Sequence, residues 1–172
     1  EFWESAGGGP GSLDELIDRS EVCVVGIDGG GLDDLLGLAV IGREKDTRKW
    51  LLWTHAWAHE IALERRKSIA PALRYFEHDG NLTVVKAPGD DVAGVCAVII
   101  KLRELLPHAH AIGVDPAGIG AIVDELANGE SALTMDQISA VSQGWRLNGA
   151  IKTAERMLAG GDLIHGCQRM MA

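Results

Sequence analysis

The sequence predicts an α/β fold in which three antiparallel strands precede alternating helices and parallel strands, with helices on both faces of one mixed sheet. Three apolar segments follow one another between residues 22 and 57, separated by short glycine-rich or polar turns. Beyond residue 59, segments with helical periodicity alternate with short apolar runs. The chain of 172 residues is long enough to bury one proper core.

The first part of the chain is predicted to contain one short helix and three strands. Residues 1–20 are expected to be a linker or an appended remnant, because residues 7–11 are rich in glycine and proline. Ser12 is a suitable N-cap for a short helix over Leu13–Ile17. The polar residues 42–48 are typical of a hairpin between the second and third strands. The strands are predicted at Val22–Asp28, Leu36–Ile41 and Lys49–Trp57.

The remainder, within a domain that spans residues 21–172, is predicted to alternate between helices and strands. An amphipathic pattern covers residues 59–77, and Asp79-Gly80-Asn81 ends it. Pro107 stops the second long helix, since proline cannot continue a helix. Helices are predicted at 59–77, 92–106, 121–127 and 148–159, and strands at 82–85, 109–115 and 138–141.

Composition and charge narrow the class of protein. With 47% hydrophobic residues the chain is not disordered, and no apolar stretch approaches the roughly 20 residues of a membrane span. The formal net charge of −9 opposes tight autonomous binding to nucleic acid, although bound metal ions can reverse the local charge of a site. Three separated cysteines are expected to be reduced and buried, as in a cytosolic protein. We therefore expect a cytoplasmic protein without membrane contact.

Two aspartates follow apolar strands directly. Asp28 precedes a cluster of three glycines, and Asp115 follows Ile112-Gly113-Val114. Carboxylates are preferred ligands of Mg²⁺ and Mn²⁺, and a pair of such ions can activate water and stabilise the leaving oxygen in phosphodiester hydrolysis. We expect Asp28 and Asp115 to meet at one edge of the sheet as metal ligands. Asp34, six residues after Asp28, is expected to return to the same end of the sheet.

Each of these acids has a plain structural alternative. Asp28 and Asp34 would also suit a glycine turn whose acids are solvated. Asp115 precedes Pro116, and this dipeptide is a common way to begin a helix. The position of Asp28 and Asp115 after fully apolar strands favours a site over a polar loop.

Three other motifs are weaker indications of a functional site. Gly118-Ile119-Gly120 lacks the third glycine of a dinucleotide loop, and that interpretation is rejected. His55 and His59 have the spacing of zinc ligands on a helix, but their segment crosses from strand to helix and offers no third ligand. Arg65-Arg66-Lys67 is expected to be a solvated helix face, with a DNA contact as the alternative.

Several ordered blocks resemble the C-terminal nuclease domain of the terminase large subunit of tailed bacteriophages and prophages. The blocks are Gly26-Ile27-Asp28 with Asp34, Thr83 to Asp91 with its Pro-Gly-acid turn, Ile112 to Pro116, and Gly160 to Gly166. The resemblance runs from about Val24 to the end of the chain. It implies a ribonuclease H-like fold.

The resemblance also implies a metal-dependent endonuclease that cuts concatemeric viral DNA during packaging in the host cytoplasm. Asp28 and Asp115 carry over as catalytic acids that bind Mg²⁺ or Mn²⁺ in a two-metal site, and Asp34 as an accessory metal ligand. The implied partners are double-stranded DNA, the terminase ATPase domain, the small terminase subunit and the portal. Possible contacts to the DNA backbone are Lys86, Arg43, Lys45 and Lys49.

The chain departs from the family pattern in one respect. The family has a third catalytic aspartate beyond the His-Gly block, and Asp162 precedes that block. We therefore expect a C-terminally truncated domain with weak or no activity of its own. Two alternatives stay open: a sugar-kinase-like phosphate-binding domain, suggested by Ile27-Asp28-Gly29-Gly30-Gly31, and a catalytically incomplete ribonuclease H-like docking module.

Overall fold

The protein is described by a computed structural model that covers residues 2–116, 120–128, 133–142 and 144–171. Gly118 and Ile119 of the rejected dinucleotide loop lie outside the described residues. The strands are β1 (Ser20–Gly29), β2 (Leu35–Glu44), β3 (Trp50–His59), β4 (Leu82–Val85), β5 (Ile112–Val114), β6 (Ile138–Ala140) and β7 (Leu163–His165). The α-helices are α1 (Phe2–Ser5), α2 (Leu13–Arg19), α3 (Glu60–Arg65), α4 (Ala70–His78), α5 (Asp90–Leu102), α6 (Gly120–Asn128) and α7 (Asn148–Gly160).

The strands form one mixed sheet in the order β4-β3-β2-β1-β5-β6, and β7 pairs with β3. β2 is antiparallel to both β1 and β3, as the sequence predicts for the first three strands. The other pairings, β1 with β5, β5 with β6, and β3 with β4 and β7, are all parallel. Apart from β2, the described strands therefore point the same way, and the carboxyl ends of β1, β3, β4, β5 and β6 meet at one edge of the sheet.

The sheet has two unlike faces because neighbouring side chains point to opposite sides of a strand. One face, here the core face, carries Val25, Ile27 and Val114 and packs against apolar side chains of α2, α5 and α6 in the main hydrophobic cluster. The opposite face, here the cleft face, carries Gly26, Asp28 and Gly113. A smaller cluster covers part of the cleft face with side chains from α3 and α4, so helices lie on both faces, as predicted.

The α1 helix was not predicted, and two further elements differ from the sequence-based prediction. The helix expected over residues 59–77 is divided into α3 and α4, and Pro71 lies in the first turn of α4. Proline lacks a backbone N–H and fits the first turn of a helix better than its interior, which explains the break. The strand β7 was not expected, since its apolar run consists of only two residues, Leu163 and Ile164.

The N-terminal residues pack against the sheet. The indole of Trp3 stacks on the imidazole of His165 in β7, with ring centroids 3.7 Å apart. The backbone N–H of His165 donates to the Ala6 carbonyl at 3.0 Å, and Gly9 N–H donates to the His165 carbonyl at 2.9 Å. Leu16 of α2 is fully buried in the main cluster. The short helix expected after Ser12 is present, and the Ser12 hydroxyl accepts from Glu15 N–H at 3.2 Å.

None of the helices in the described part of the chain is both long enough and apolar enough to cross a bilayer.

Candidate metal-binding cleft

Asp28 and Asp115 lie at equivalent positions on adjacent strands. Ile27 of β1 pairs in register with Val114 of β5, and each aspartate is the next residue along its strand. The backbone N–H of Asp115 donates to the Ile27 carbonyl at 3.3 Å, which holds the two chains together at this point. Because both aspartates have the same strand parity as Gly26 and Gly113, both side chains belong to the cleft face.

Both aspartates line one cleft of about 440 Å³ on this face. Its floor is the sheet itself, where the side chains are unusually small: Gly26, Gly37, Ala39, Ala56 and Gly113. Bare backbone therefore lies directly behind the two carboxylates, and a bulky ligand can approach the sheet closely. A methyl group placed on Gly26 would meet no atom within 4 Å, so the space in front of this residue is open.

The two carboxylates differ in environment. The Asp28 side chain is exposed to solvent. Asp115 is partly buried, and it makes an interaction besides its backbone hydrogen bond to Ile27. Among the described residues, no group of three His, Cys, Asp or Glu side chains is arranged to hold a metal ion. The structure thus brings the two predicted anchors to one cleft and leaves the remaining coordination positions of any bound cation to water or substrate.

The third predicted acid, Asp34, lies in the turn between β1 and β2 and is absent from the lining of the cleft. Its carboxylate accepts the Leu35 backbone N–H at 2.9 Å and lies 3.5 Å from the Arg66 guanidinium. Asp33 is placed in the same way, 3.5 Å from Arg65. Arg65 and Arg66, at the end of α3, therefore hold the glycine turn through two exposed ion pairs, which are weak individually.

The four predicted DNA contacts fall at opposite ends of the sheet. Lys86 directly follows β4 and is at the same edge as Asp28, with its amine 3.9 Å from Glu60. Arg43, Lys45 and Lys49 are at the β2–β3 hairpin, where Arg43 stacks its guanidinium over the Trp50 ring. Asp28 pairs with Gly37, six residues before Arg43, so about 20 Å of strand separates Asp28 from this group.

The histidines of β3 belong to the core face and do not meet. His55 lies between Trp53 and Trp57, and its Nε2 is 2.8 Å from the Thr83 hydroxyl. Burial lowers the pKa of His55 below its usual value. His59 is buried against Asp91 at 3.3 Å. Each of the two histidines therefore has its own, separate partner.

Sequence reasoning missed the part of the cleft that comes from the C-terminal third of the chain. Leu147 and Met170 line the cleft beside the two aspartates. Leu147 ends a 3₁₀ turn, Gly144–Leu147, that runs directly into α7. The wall near Thr54 is closed by Gln168, whose amide bonds the Thr54 backbone and hydroxyl. Such contacts between distant segments leave no local pattern in the sequence.

Comparison with known proteins finds a likeness of fold. The chain is similar to the crystal structure of the HK97 bacteriophage large terminase, with a TM-score of 0.61 and 20% sequence identity. The aligned region covers 92% of this chain and 34% of that one, so the chain spans about a third of the length of that protein. No family model matches the chain, and no curated protein matches it. The strand order and this likeness confirm the predicted ribonuclease H-like, mixed α/β fold class.

Proposed function

We propose that this chain is the nuclease domain of a phage terminase large subunit and hydrolyses phosphodiester bonds of DNA with divalent metal. The observation that supports the proposal is the pairing of Asp28 and Asp115 at the carboxyl ends of adjacent parallel strands, in one cleft. The likeness in fold to the HK97 bacteriophage large terminase supports the same assignment. Ligands of α/β sheets commonly bind at this edge, beyond the carboxyl ends of the strands.

The residues present fit a magnesium or manganese ion. Mg²⁺ commonly retains several waters and binds to proteins through one or two carboxylates together with substrate phosphates, rather than in a complete protein cage. Asp28 and Asp115 supply that number of carboxylates, and the glycine floor leaves room for waters and a phosphate. When bound, such ions would polarise the phosphate and lower the pKa of an attacking water.

In this proposal the protein positions the two aspartates and provides a cleft that fits the DNA backbone. The backbone N–H of Asp115 donates to the Ile27 carbonyl, which holds the main chain of Asp115 next to that of Asp28. The open space in front of Gly26 lets the sugar-phosphate chain lie against the sheet backbone. Because the cleft is open on one side, a scissile phosphate of a long duplex could enter without threading an end of the DNA.

The remaining predicted residues take secondary roles in the proposal. Asp34 would be an accessory ligand only if the β1–β2 turn moved and released it from Arg66. Lys86 would contact the DNA backbone near the cut, and Arg43, Lys45 and Lys49 would contact it farther away. The partners proposed for the whole protein are double-stranded DNA, an ATPase domain, a small terminase subunit and a portal, all in the host cytoplasm.

The test is nicking of supercoiled plasmid with Mn²⁺, with Mg²⁺ and with chelator. We expect metal-dependent nicking by the parent chain, weak because only two carboxylates meet in the described cleft. Asp28→Ala and Asp115→Ala should each remove it, while Asp34→Asn should reduce it less. A parent chain that nicks equally well in chelator, or an Asp28→Ala variant with full activity, would contradict the proposal.

A catalytically incomplete docking module is a second candidate. No third metal ligand lies beside Asp28 and Asp115 among residues 2–116, 120–128, 133–142 and 144–171. This absence favours the docking module. No cleavage by a folded parent chain, together with no binding of Mn²⁺, would support this alternative over the nuclease.

A further inference from the structure

The 3₁₀ turn and α7 form a continuous helical segment at the rim of the cleft. Trp145 in the turn is 77% exposed, although tryptophan is usually at least partly buried. Arg146 places its guanidinium 5.6 Å from the Trp145 ring and donates to the Ser142 hydroxyl at 3.3 Å. Leu147, the next residue, lines the cleft that holds Asp28 and Asp115. An exposed indole and a cation therefore directly precede a residue that lines the cleft.

Helical spacing sorts the residues of this segment into two sides. Ala154, Met157 and Leu158 are partly buried and mark the side that faces the protein. The opposite side is spaced at intervals of three or four residues, which places its members in one row. This row, here named the α7 strip, consists of Trp145, Gly149, Lys152 and Arg156, all of them exposed.

The charges of the α7 strip are uncompensated. Arg19, Arg48, Arg65, Arg66, Arg74, Lys86 and Lys101 each lie within salt-bridge distance of a carboxylate. Lys152 and Arg156 form no ion pair with any residue that the structure describes, and Glu155 lies on the flank of the helix rather than in the row. In a chain with a net charge of −9, two exposed and unpaired cations in line with an exposed indole are a distinct local feature.

The α7 strip extends from the cleft toward the β2–β3 hairpin. α7 begins beside the cleft and contacts β7 and α1, which lie near the β2–β3 hairpin. Its 13 residues span about 20 Å, close to the separation of Asp28 from Arg43. Arg43 shares the strand parity of Gly37 and so belongs to the cleft face. A linear polyanion could thus contact the strip and reach the hairpin cations.

We propose that the α7 strip binds the sugar-phosphate backbone of the duplex DNA whose scissile phosphate enters the cleft. The inference rests on the proposed nuclease function and adds a partner surface to it. Lys152 and Arg156 contact phosphates, Gly149 lets the backbone approach the helix, and Trp145 packs its ring against the DNA at the cleft mouth. Since no base-reading element is involved, binding is independent of sequence.

The test is the affinity of the chain for a short DNA duplex, measured by fluorescence anisotropy over a range of NaCl concentrations with Ca²⁺ replacing Mn²⁺. Each phosphate contact contributes roughly 0.9 to the slope of log K against log salt. We expect Lys152→Ala/Arg156→Ala to reduce that slope by about 2 and to weaken binding at low salt by on the order of tenfold. Trp145→Ala should weaken binding with little change of slope, because the indole carries no charge.

The control is Arg74→Ala/Lys101→Ala, which likewise removes one arginine and one lysine, from exposed positions outside the strip. It should retain more of the parent affinity and slope, and all variants should keep the parent melting temperature. If the strip and control variants bind alike while the parent nicks DNA in an Asp28-dependent way, the strip inference is wrong and the nuclease proposal stands. If the parent neither binds nor nicks DNA, both are wrong.

Discussion

Gly26 and Gly113 are register partners on the adjacent parallel strands β1 and β5, and each lies two residues before one of the cleft aspartates. The pair removes side chains from the sheet where the two carboxylates project. Their surroundings differ: a methyl group on Gly113 would approach Val141 Cγ2 at 2.9 Å, whereas one on Gly26 would meet nothing within 4 Å. The open glycine therefore offers a way to obstruct the cleft without disturbing the core.

Gly26→Val should leave stability nearly unchanged and inhibit DNA cleavage. Valine suits a strand, and at this position its side chain would project into the cleft. We expect a change in the free energy of unfolding below about 0.5 kcal/mol, and a loss of nicking on the order of tenfold or more. The measurements are denaturant unfolding and plasmid nicking. Undiminished nicking by a folded Gly26→Val variant would show that substrate does not use the glycine floor.

Gly94→Ala should destabilise the protein because α5 packs closely on the sheet there. A methyl group at Gly94 would lie 2.7 Å from Cε2 of Trp57, a contact that requires the helix to shift. We expect a loss of about 1–3 kcal/mol in the free energy of unfolding.

Gly149→Ala is the matched control for this prediction. It lies in a helix of the same length, with nothing within 4 Å of the added methyl group. Alanine favours helix over glycine, so this variant should gain roughly 0.5 kcal/mol. Equal effects of the two substitutions would mean that α5 does not pack tightly on Trp57.

Thiol labelling should distinguish one exposed cysteine from two buried ones, whereas the sequence predicted all three to be buried. Cys23 and Cys96 are buried, but Cys167 is exposed. Burial raises the pKa of the Cys23 thiol, and burial with the nearby Glu125 raises that of Cys96 to about 11. A thiol reagent at neutral pH should therefore label Cys167 rapidly, and the other two only after unfolding. Rapid labelling of a Cys167→Ser variant would contradict this assignment.

His55 should contribute to loss of stability in mild acid. Burial lowers the pKa of His55 below its usual 6.5, so the unfolded chain binds the proton more readily than the folded protein. The neutral form contributes stability above pH 6.5, and this contribution is lost as the pH falls below that value. Unfolding measured between about pH 7.5 and pH 5 should show a shallower acid loss for His55→Gln than for the parent. An unchanged slope would contradict the effect of burial.

The sequence predicted the strands, their directions and the meeting of Asp28 and Asp115, because each depends on a local pattern. Alternating or continuous apolar runs mark β1 to β6, and an acid directly after a strand must lie at the edge of the sheet. The division between α3 and α4 follows from Pro71, because proline fits the first turn of a helix but not its interior.

The contacts that complete the cleft could not be predicted in the same way. Gln168 bonds to Thr54 across 114 positions, and Trp3 stacks on His165 across 162. Neither pair leaves a periodic signal, and the side chains involved are common in many settings. The ion pairs that draw Asp33 and Asp34 to Arg65 and Arg66 are equally non-local. Prediction from sequence therefore placed Asp28 and Asp115 at one edge of the sheet but did not foresee the walls of the cleft.

The most direct test of the central claim is to measure the binding of Mn²⁺ by titration calorimetry. The proteins compared are the parent chain, the Asp28→Asn and Asp115→Asn variants, and Asp136→Asn as a control. Asp136 lies outside the cleft, in the 3₁₀ turn Met135–Gln137. If Asp28 and Asp115 form one cation site, either cleft substitution should abolish most of the binding, and the control should bind as the parent does. Equal binding by all four proteins, or none by the parent, would contradict a shared metal site.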